Sequence, residues 1–278
     1  MKLWIGTAGY SYPDWVGGFY PPGVPAAGRL AFYARHFPMV EVNSSFYRPP
    51  TPAQAERMCG QVPAGFGFSL KVPKSASHGF DPAELPAFRQ AAEAVAAHGT
   101  LLGLVAQFAE SFKNLPANRD WVVRVRRELD PFPLAVEFRH VSWDVPALPD
   151  WAGTHRLTVV GVGVPPELPQ LFPDGPRCYG PEVYARLHGR DPAAWYAGGP
   201  ARYDYDYPPE ELDRWADALV SAAAGGAERA VIVFNNCVGT QAITSARALT
   251  ARMAGVPGVE LARPPAATVQ KGLFDEIG

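Results

Sequence analysis

Short runs of apolar residues bounded by glycine or proline recur eight times along the chain and predict buried β-strands. Most are rich in β-branched and aromatic side chains and show little polar alternation at their starts, which is typical of parallel strands covered on both faces. The runs are KLWIGT (2–7), MVEVN (39–43), GFSLKV (67–72), GLVAQF (103–108), LAVEFR (134–139), LTVVGV (157–162), VYARLH (183–188) and AVIVFN (230–235).

Helical patterns separate most of these strands. The sequence TPAQ at 51–54 combines a capping threonine, a first-turn proline and a capping-box glutamine. Asp81 starts a similar signature before an alanine-rich run, and Asn118 is the predicted cap of the helix after it. Residues 208–224 and 240–253 carry apolar side chains at helical spacing, and Gly225 and Gly255 are the predicted stops of these two helices.

Two connections lack a good helical pattern. Residues 142–153 contain two prolines, and residues 165–181 contain six. We therefore predict an α/β fold in which residues 1–278 form a single (β/α)8 barrel of the TIM type, with irregular loops after the fifth and sixth strands. An open, doubly wound sheet is the alternative, but no GxGxxG sequence follows the first strand.

Polar residues cluster at the ends of the predicted strands. Residues two apart on a strand share a face, so three pairs are expected to point together into the open carboxyl-terminal mouth of the barrel. The pairs are Glu41 with Asn43, Glu137 with Arg139, and Arg186 with His188, and Lys71, Gln107 and Asn235 also end strands. A buried network of ion pairs without a ligand is the alternative, but polar residues end so many strands that we favour a ligand-facing site.

Aromatic residues in the adjoining loops are further candidates for ligand contact. We expect Tyr10, Trp15, Tyr47, His78 and Trp143 to line the mouth, where aromatic rings can stack on a sugar or a base. The alternative is that these side chains plug and cap the barrel.

Seven motifs together closely resemble the domain of unknown function 72 family, also called YecE-like. They are GTAGYSYPDWVGGFYP (6–21), VEVNSSFYRPP (40–50), FSLKVP (68–73) with a following histidine, LLGLVAQF (101–108), VEFRHVSW (136–143), YARLHGR (184–190) and FNNC (234–237). They run in family order over nearly the whole chain. The resemblance implies a (β/α)8 barrel, supplies no established activity, and places most of the candidate site residues on family motifs.

Composition and charge limit the kinds of partner that we expect. The net charge is −2 and no polybasic stretch occurs, which argues against nucleic acid as a partner. Three widely spaced cysteines do not form a disulfide framework. The amino-terminal segment reads as a strand rather than a signal peptide, and no apolar run approaches the ~20 residues of a membrane span. We expect a cytoplasmic protein with a small-molecule ligand, and nothing in the sequence indicates its oligomeric state.

These observations favour an enzyme that acts, without a metal ion, on a small polar metabolite such as a sugar or a phosphorylated compound. Glu41 or Glu137 is the candidate general base, and His188, with an ordinary pKa near ~6.5, the candidate proton shuttle. Lys71 is the candidate nucleophile or electrostatic stabiliser. Asn43, Gln107, Arg139, Arg186 and Asn235 are the candidate ligand-binding residues of the strand ends.

Two alternatives stay open. In a metal-dependent barrel hydrolase or isomerase, Glu41, Glu137, His78 and His188 would supply the ligands, although the neighbouring cations oppose a metal ion. No cofactor is predicted, and a divalent metal is not excluded. The third hypothesis is a non-catalytic protein that binds a small ligand or single-stranded nucleic acid through its aromatic and basic residues.

Overall fold

In the computed structural model, which describes residues 1–264, all eight apolar runs form strands of one parallel sheet. The strands are β1 (Lys2–Ala8), β2 (Met39–Val42), β3 (Gly67–Lys71), β4 (Thr100–Gln107), β5 (Leu134–Glu137), β6 (Leu157–Val159), β7 (Gly161–Gly163), β8 (Glu182–Leu187), β9 (Arg229–Phe234) and β10 (Glu260–Leu261).

The sheet closes into a barrel because one predicted strand divides in two. The order of paired strands is β6-β5-β4-β3-β2-β1-β9-β8-β7. The sixth apolar run is interrupted at Val160, so that its first half, β6, pairs with β5 and its second half, β7, pairs with β8. One chain segment thus joins the two ends of the sheet, and the predicted (β/α)8 architecture is confirmed. The short β10 pairs with Lys2 and Leu3 at the start of β1.

Helices surround the sheet. They are α1 (Arg29–Tyr33), α2 (Pro52–Cys59), α3 (Lys74–His78), α4 (Leu85–His98), α5 (Pro116–Glu128), α6 (Leu148–Thr154), α7 (Pro209–Ala224) and α8 (Gln241–Met253). The predicted capping box at the start of α2 is present, because Thr51 Oγ1 accepts from Gln54 N and Gln54 Oε1 accepts from Thr51 N. Two orphan amides at this helix start are therefore satisfied.

Two other predicted helix caps are wrong. Asp81 Oδ1 accepts from Ala83 N at 2.9 Å and forms a local turn, while α4 begins four residues later at Leu85. Asn118 lies inside α5, which begins at Pro116, and its Nδ2 donates to a carbonyl of the preceding loop. Proline suits the first turn of a helix because it has no amide hydrogen to leave unpaired there, and a proline in that turn starts both helices.

The irregular loops also occur where the sequence predicts them. The connection after β5 contains a 3-10 turn at Val141–Trp143 and the seven-residue α6, and residues 164–181 contain no helix or strand. This second loop is tied to the carboxyl end of the barrel: Phe172 N donates to Arg139 O at 2.8 Å, and Val164 N donates to Asp174 Oδ1 at 3.0 Å. The loop therefore borders the mouth beside β5.

Strand alternation decides which side chains enter the barrel. On β3, Ser69 points inward, where its Oγ lies 2.8 Å from Tyr184 Oη of β8. Phe68 and Leu70, on the opposite face of β3, are fully buried and must point to the surrounding helices. The same alternation on the other strands brings polar side chains together at the carboxyl end of the interior.

Candidate functional site

Arg186, near the end of β8, is fully buried in the barrel and binds two carboxylates. Its Nη2 donates to Glu41 Oε1 at 2.7 Å, its Nε donates to Glu41 Oε2 at 3.0 Å, and its Nη1 donates to Glu137 Oε2 at 2.5 Å. Burial alone would lower the pKa of this guanidinium, but the two carboxylates raise it above its ordinary value. Arg186 thus has a carboxylate partner for each nitrogen and links β2, β5 and β8.

Two residues that the sequence analysis did not select complete this buried group. Tyr184 Oη donates to Glu41 Oε2 at 2.8 Å, and Ser69 Oγ donates to Gly103 O at 3.1 Å while contacting the Tyr184 hydroxyl. Burial and the Glu41 charge raise the pKa of Tyr184 well above its ordinary value, so the phenol stays a donor. The signal for Tyr184 was present, since it lies two residues before Arg186 on the same strand face. We call these residues the inner layer: Glu41, Ser69, Glu137, Tyr184 and Arg186.

Glu137, at the end of β5, connects the inner layer to the residues nearer the mouth. Its Oε1 lies 2.5 Å from Arg139 Nε and 3.1 Å from His188 Nε2. Burial alone would raise the pKa of Glu137, but Arg139, Arg186 and His188 hold it well below its ordinary value. Glu137 is therefore an ionised carboxylate, and the structure brings the predicted strand-end pairs of β5 and β8 into contact.

His188 follows β8 and is fully buried. Its Nδ1 lies 2.8 Å from Asn235 Nδ2, and its Nε2 lies 3.1 Å from Glu137 Oε1 and 3.2 Å from Arg139 Nη2, so both ring nitrogens have polar neighbours. Burial and the charge of Arg139 lower the pKa of His188 to about 3, despite the attraction of Glu137. The expected titration near neutral pH is therefore corrected: this imidazole is neutral at pH 7 and acts as a neutral hydrogen-bonding group.

Arg139, by contrast, is buried with donors left over. The residue is only 5% exposed, yet its Nη1 has no hydrogen-bond partner among residues 1–264. Its Nε is within ion-pair distance of Glu137, but the N–H is misaligned for a hydrogen bond. Its Nη2 lies 3.2 Å from His188 Nε2, and its guanidinium carbon lies 5.4 Å from the ring centroid of Trp195. A buried guanidinium with unused donors is costly unless something else accepts from it.

Lys71, the last residue of β3, lacks a carboxylate partner among residues 1–264, whereas Arg139 has Glu137. Its Nζ donates to Gln107 Oε1 at 2.9 Å and lies 4.1 Å from the ring centroid of Phe46. No carboxylate of residues 1–264 comes within 4.0 Å of Nζ, since Glu41 and Glu137 are paired with arginines. Burial, reinforced by the charge of Arg186, lowers the pKa of the Lys71 ammonium to about 7.

His78 and Asn43 are two further half-buried residues predicted for the site. The ring of His78 lies 5.3 Å from the ring of Phe46, and burial together with Lys71 lowers the pKa of His78 to about 4. Asn43, just after β2, keeps a buried Oδ1 without a hydrogen-bond partner in the described part of the chain. We call these residues the outer layer: Asn43, Lys71, His78, Gln107, Arg139, His188 and Asn235.

The two predicted tryptophans do not join this cluster. Trp15 is fully buried, its Nε1 donates to Cys237 O at 3.1 Å, and its ring packs against Tyr12. Trp143 is also fully buried and stacks on Phe138 with ring centroids 3.8 Å apart. Both rings pack in the hydrophobic core, as the capping alternative expects, and their contact with a ligand stays a prediction.

The two predicted tyrosines, Tyr10 and Tyr47, lie outside the buried polar cluster. Tyr47 is 79% exposed, and its ring packs only against the edge of Phe46. Tyr10 is half-buried, with its ring 6.5 Å from that of Tyr33. The aromatic residues that do contact the cluster are Phe46, over Lys71, and Trp195, over Arg139. Their loop positions carry no strand periodicity, so sequence could not distinguish them from other loop aromatics.

Other features lie outside the cluster. A cavity of about 370 Å³ beside the amino ends of β5 and β6 is lined in part by Arg126, Phe132, Arg156 and Tyr179, and it contains none of the predicted site residues. Within residues 1–264, no three histidine, cysteine or acidic side chains form a group that could hold a metal ion. No helix in the same range is long and apolar enough to cross a membrane.

Comparison with known proteins gives a family. The model of the family described as "Protein of unknown function DUF72" matches residues 4–269. The UPF0759 protein YunF of Bacillus subtilis is 24% identical over 86% of this chain and 90% of its own length. A crystal structure of a DUF72 family protein from Thermotoga maritima superposes with a TM-score of 0.82 and is 32% identical, covering 90% of this chain and 98% of that one. A DUF72 family protein from Enterococcus faecalis shares the fold at 22% identity, with a TM-score of 0.78 over 90% of this chain and 95% of its own.

Proposed function

The chain belongs to the DUF72 family, and we propose that the outer layer of its barrel mouth binds a small anionic metabolite, such as a sugar acid or a phosphorylated compound. In this proposal Arg139 holds the anion, and Lys71 exchanges a proton with the bound molecule without the help of a metal ion. The inner layer holds the strand ends in place and does not take part in the chemistry.

The buried Nη1 of Arg139, which has no hydrogen-bond partner among residues 1–264, is the observation that carries the proposal. A fully buried arginine normally finds acceptors for its donors, as Arg186 does with Glu41 and Glu137. Arg139 has the same neighbourhood but keeps a buried Nη1 without an acceptor. A carboxylate or phosphate would supply that acceptor, and guanidinium groups suit both because their donors form a planar fork.

The charge balance of the two layers also favours an anionic ligand. With Lys71 protonated, three cations (Lys71, Arg139 and Arg186) face the two carboxylates of Glu41 and Glu137. Both carboxylates are already paired with arginines, so the positive excess belongs to the outer layer. A positive, partly buried site attracts anions more strongly than an exposed one because solvent screens it less.

Lys71 is the group best suited to exchange a proton. A pKa of about 7 means that both the ammonium and the free amine are populated at neutral pH, which is the condition for efficient acid–base catalysis. Glu41 is a less suitable base because both of its oxygens accept from Arg186. Glu137 is likewise engaged by Arg186, Arg139 and His188.

Calorimetric titration of the protein with inorganic phosphate, glycolate and neutral glucose tests the proposal. We expect the two anions to bind and glucose not to bind. Arg139→Gln should weaken anion binding about tenfold or more, since a charge-assisted hydrogen bond contributes roughly 1.5–3 kcal/mol. Arg35→Gln, which removes an exposed arginine over Phe32, is the matched control and should leave the affinity unchanged. Equal affinities in wild type and Arg139→Gln would refute the assignment of the anion to Arg139.

The same titrations report on Lys71 when they are repeated near pH 7.5 in buffers of different ionisation enthalpy. A bound anion stabilises the ammonium, so wild type should take up protons on binding and Lys71→Met should not. Binding that appears only after a divalent cation is added would instead favour the metal-dependent alternative.

A further inference from the structure

We propose that Lys71 forms an imine with a small aldehyde or ketone whose carboxylate or phosphate group is held by Arg139. This inference rests on the proposed function, because it uses the same anion site, and it adds the substrate class: a carbonyl compound bearing an anionic group. Lys71 is then a covalent catalytic residue as well as a proton acceptor.

The pairing pattern of the cluster separates Lys71 from every acid. Glu41 and Glu137 are the carboxylates of the inner layer, and each is held by Arg186 at 2.7 Å or less. Lys71 is left with the neutral amide of Gln107, whose Oε1 also accepts from Arg186 Nη1 at 3.1 Å. An ammonium that shares a neutral acceptor with a guanidinium is poorly stabilised, and the free amine is the form that attacks a carbonyl carbon.

The position of the amine suits an attack on a bound molecule. The backbone at Lys71 is fixed because Ser45 Oγ donates to Lys71 O at 2.7 Å. The ring of Phe46 covers the amine on one side, and Gln107 accepts one of its hydrogens. Lys71 is half-buried at the carboxyl end of β3, the end of the barrel where other (β/α)8 proteins place their reactive groups.

Arg139 would orient the substrate. Short contacts connect this arginine to Lys71 in one neighbourhood: Arg139 Nε lies 2.5 Å from Glu137, Glu137 and Gln107 both accept from Arg186 Nη1, and Gln107 Oε1 accepts from Lys71 Nζ at 2.9 Å. An anionic group on the unpartnered Nη1 of Arg139 would hold the rest of a small molecule in that neighbourhood. A carbonyl group a bond or two from the anionic group could then reach the Lys71 amine.

The step balances without an oxidant or a metal ion. The free amine of Lys71 adds to the carbonyl carbon to give a carbinolamine. The carbonyl oxygen then leaves as water with both amine hydrogens, and a carbon–nitrogen double bond forms. At a pKa of about 7 a large fraction of Lys71 is free amine at neutral pH, compared with less than about one part in a thousand for an ordinary lysine with a pKa near ~10.4.

Lys74 is the internal control. It lies three residues after Lys71, is the first residue of α3, and is exposed to solvent. Both lysines can be compared in the same sample, so differences in protein concentration or reagent cancel. Lys2 and Lys113 serve as further reference amines elsewhere in the chain.

The experiment is reductive trapping of the whole chain with glyoxylate, an aldehyde that carries a carboxylate. Protein is incubated with glyoxylate and cyanoborohydride at pH 7, and the carboxymethyl group left on each lysine is located by peptide mass spectrometry over time. We expect Lys71 to be modified on the order of 10- to 100-fold faster than Lys74, and the rate to saturate with glyoxylate concentration. Equal or slower modification of Lys71 would overturn the inference.

A neutral aldehyde separates this inference from the proposed function. Trapping with glycolaldehyde, which has no charge, should modify Lys71 at least about tenfold more slowly than glyoxylate, because it lacks the group that Arg139 holds. Equal trapping by both aldehydes would keep the imine and refute the anion site. Glyoxylate binding in the calorimeter without an adduct on Lys71 would keep the anion site and refute the imine.

The variant Gln107→Glu tests whether Lys71 is reactive because its amine contacts a neutral amide and not a carboxylate. A carboxylate in place of the amide that accepts from Nζ would stabilise the ammonium, so trapping of Lys71 at pH 7 should slow about tenfold while trapping of Lys74 stays unchanged. Raising the pH to 9 should restore much of the lost rate in this variant. Unchanged trapping of Lys71 in a folded Gln107→Glu protein would show that the reactivity of Lys71 does not depend on the lack of a carboxylate partner.

Discussion

Two arginines of the barrel mouth have the same neighbourhood and different partners. Arg186 and Arg139 are both buried, and both contact Glu137. Arg186 directs every nitrogen to a carboxylate, whereas Arg139 keeps a buried Nη1 without an acceptor. The chain itself completes one cation and leaves the other incomplete. The two arginines therefore share burial and charge and differ in their unused donors among residues 1–264, and the proposed anion site rests on that difference.

The inner layer should matter more to stability than the outer layer, and Arg186→Met compared with Arg139→Met tests this most strongly. Loss of Arg186 leaves Glu41 without its guanidinium partner in the barrel interior, so we expect the free energy of unfolding to fall by about 3–5 kcal/mol. Loss of Arg139 leaves Glu137 paired with Arg186 and should cost about 1–2 kcal/mol. Urea unfolding at pH 7 measures both. Equal decreases in the free energy of unfolding would contradict the larger contribution of the inner layer to stability.

The pH dependence of stability should distinguish Lys71 from the inner layer. Between pH 7 and pH 10 the unfolded chain binds a proton at Lys71 that the folded chain has lost, so this residue makes the free energy of unfolding rise with pH. Wild type should gain about 2 kcal/mol over this range relative to Lys71→Met, since partial exposure reduces the full effect of the pKa shift. Because other groups titrate alike in both proteins, parallel curves would contradict the low pKa of Lys71.

Tyr184→Phe tests whether the inner layer contributes to stability and not to anion binding. The substitution removes the hydroxyl that donates to Glu41 and contacts Ser69, and it leaves no new cavity. We expect a loss of about 1–2 kcal/mol in the free energy of unfolding and no change in the affinity for phosphate. A loss of phosphate affinity with little change in stability would move Tyr184 into the binding site.

Tyr47→Ala should have the smallest effect. Its side chain is 79% exposed and contacts only the edge of Phe46, so the free energy of unfolding should change by less than about 0.5 kcal/mol. Phosphate affinity should also stay within error of wild type. A clear loss of affinity would restore the contact with ligand that the sequence predicts for this residue.

The strand-end polar residues could be predicted because a period of two is a strong geometric constraint. Once Glu137 and Arg186 are placed inside the barrel, Arg139 and His188 must follow them. The same rule identifies Tyr184, which shares a strand face with Arg186. Its aromatic ring is typical of buried strands, so the residue type alone does not indicate a polar role.

Partner choice, in contrast, could not be predicted. Nothing in the sequence says that Arg186 takes both carboxylates and leaves Lys71 with an amide, because that depends on side chains from five strands meeting in space. The loops are less predictable still. Trp15 and Trp143 belong to the core while Trp195 covers Arg139, although all three lie in similar aromatic loops.

The most direct test of the anion site is a crystal structure of the protein soaked with inorganic phosphate. We expect phosphate oxygens within about 3 Å of Arg139 Nη1 and an unchanged inner layer. Phosphate found only at exposed arginines, with Arg139 Nη1 instead bound to ordered water, would contradict the claim that the chain leaves this arginine open for an anion.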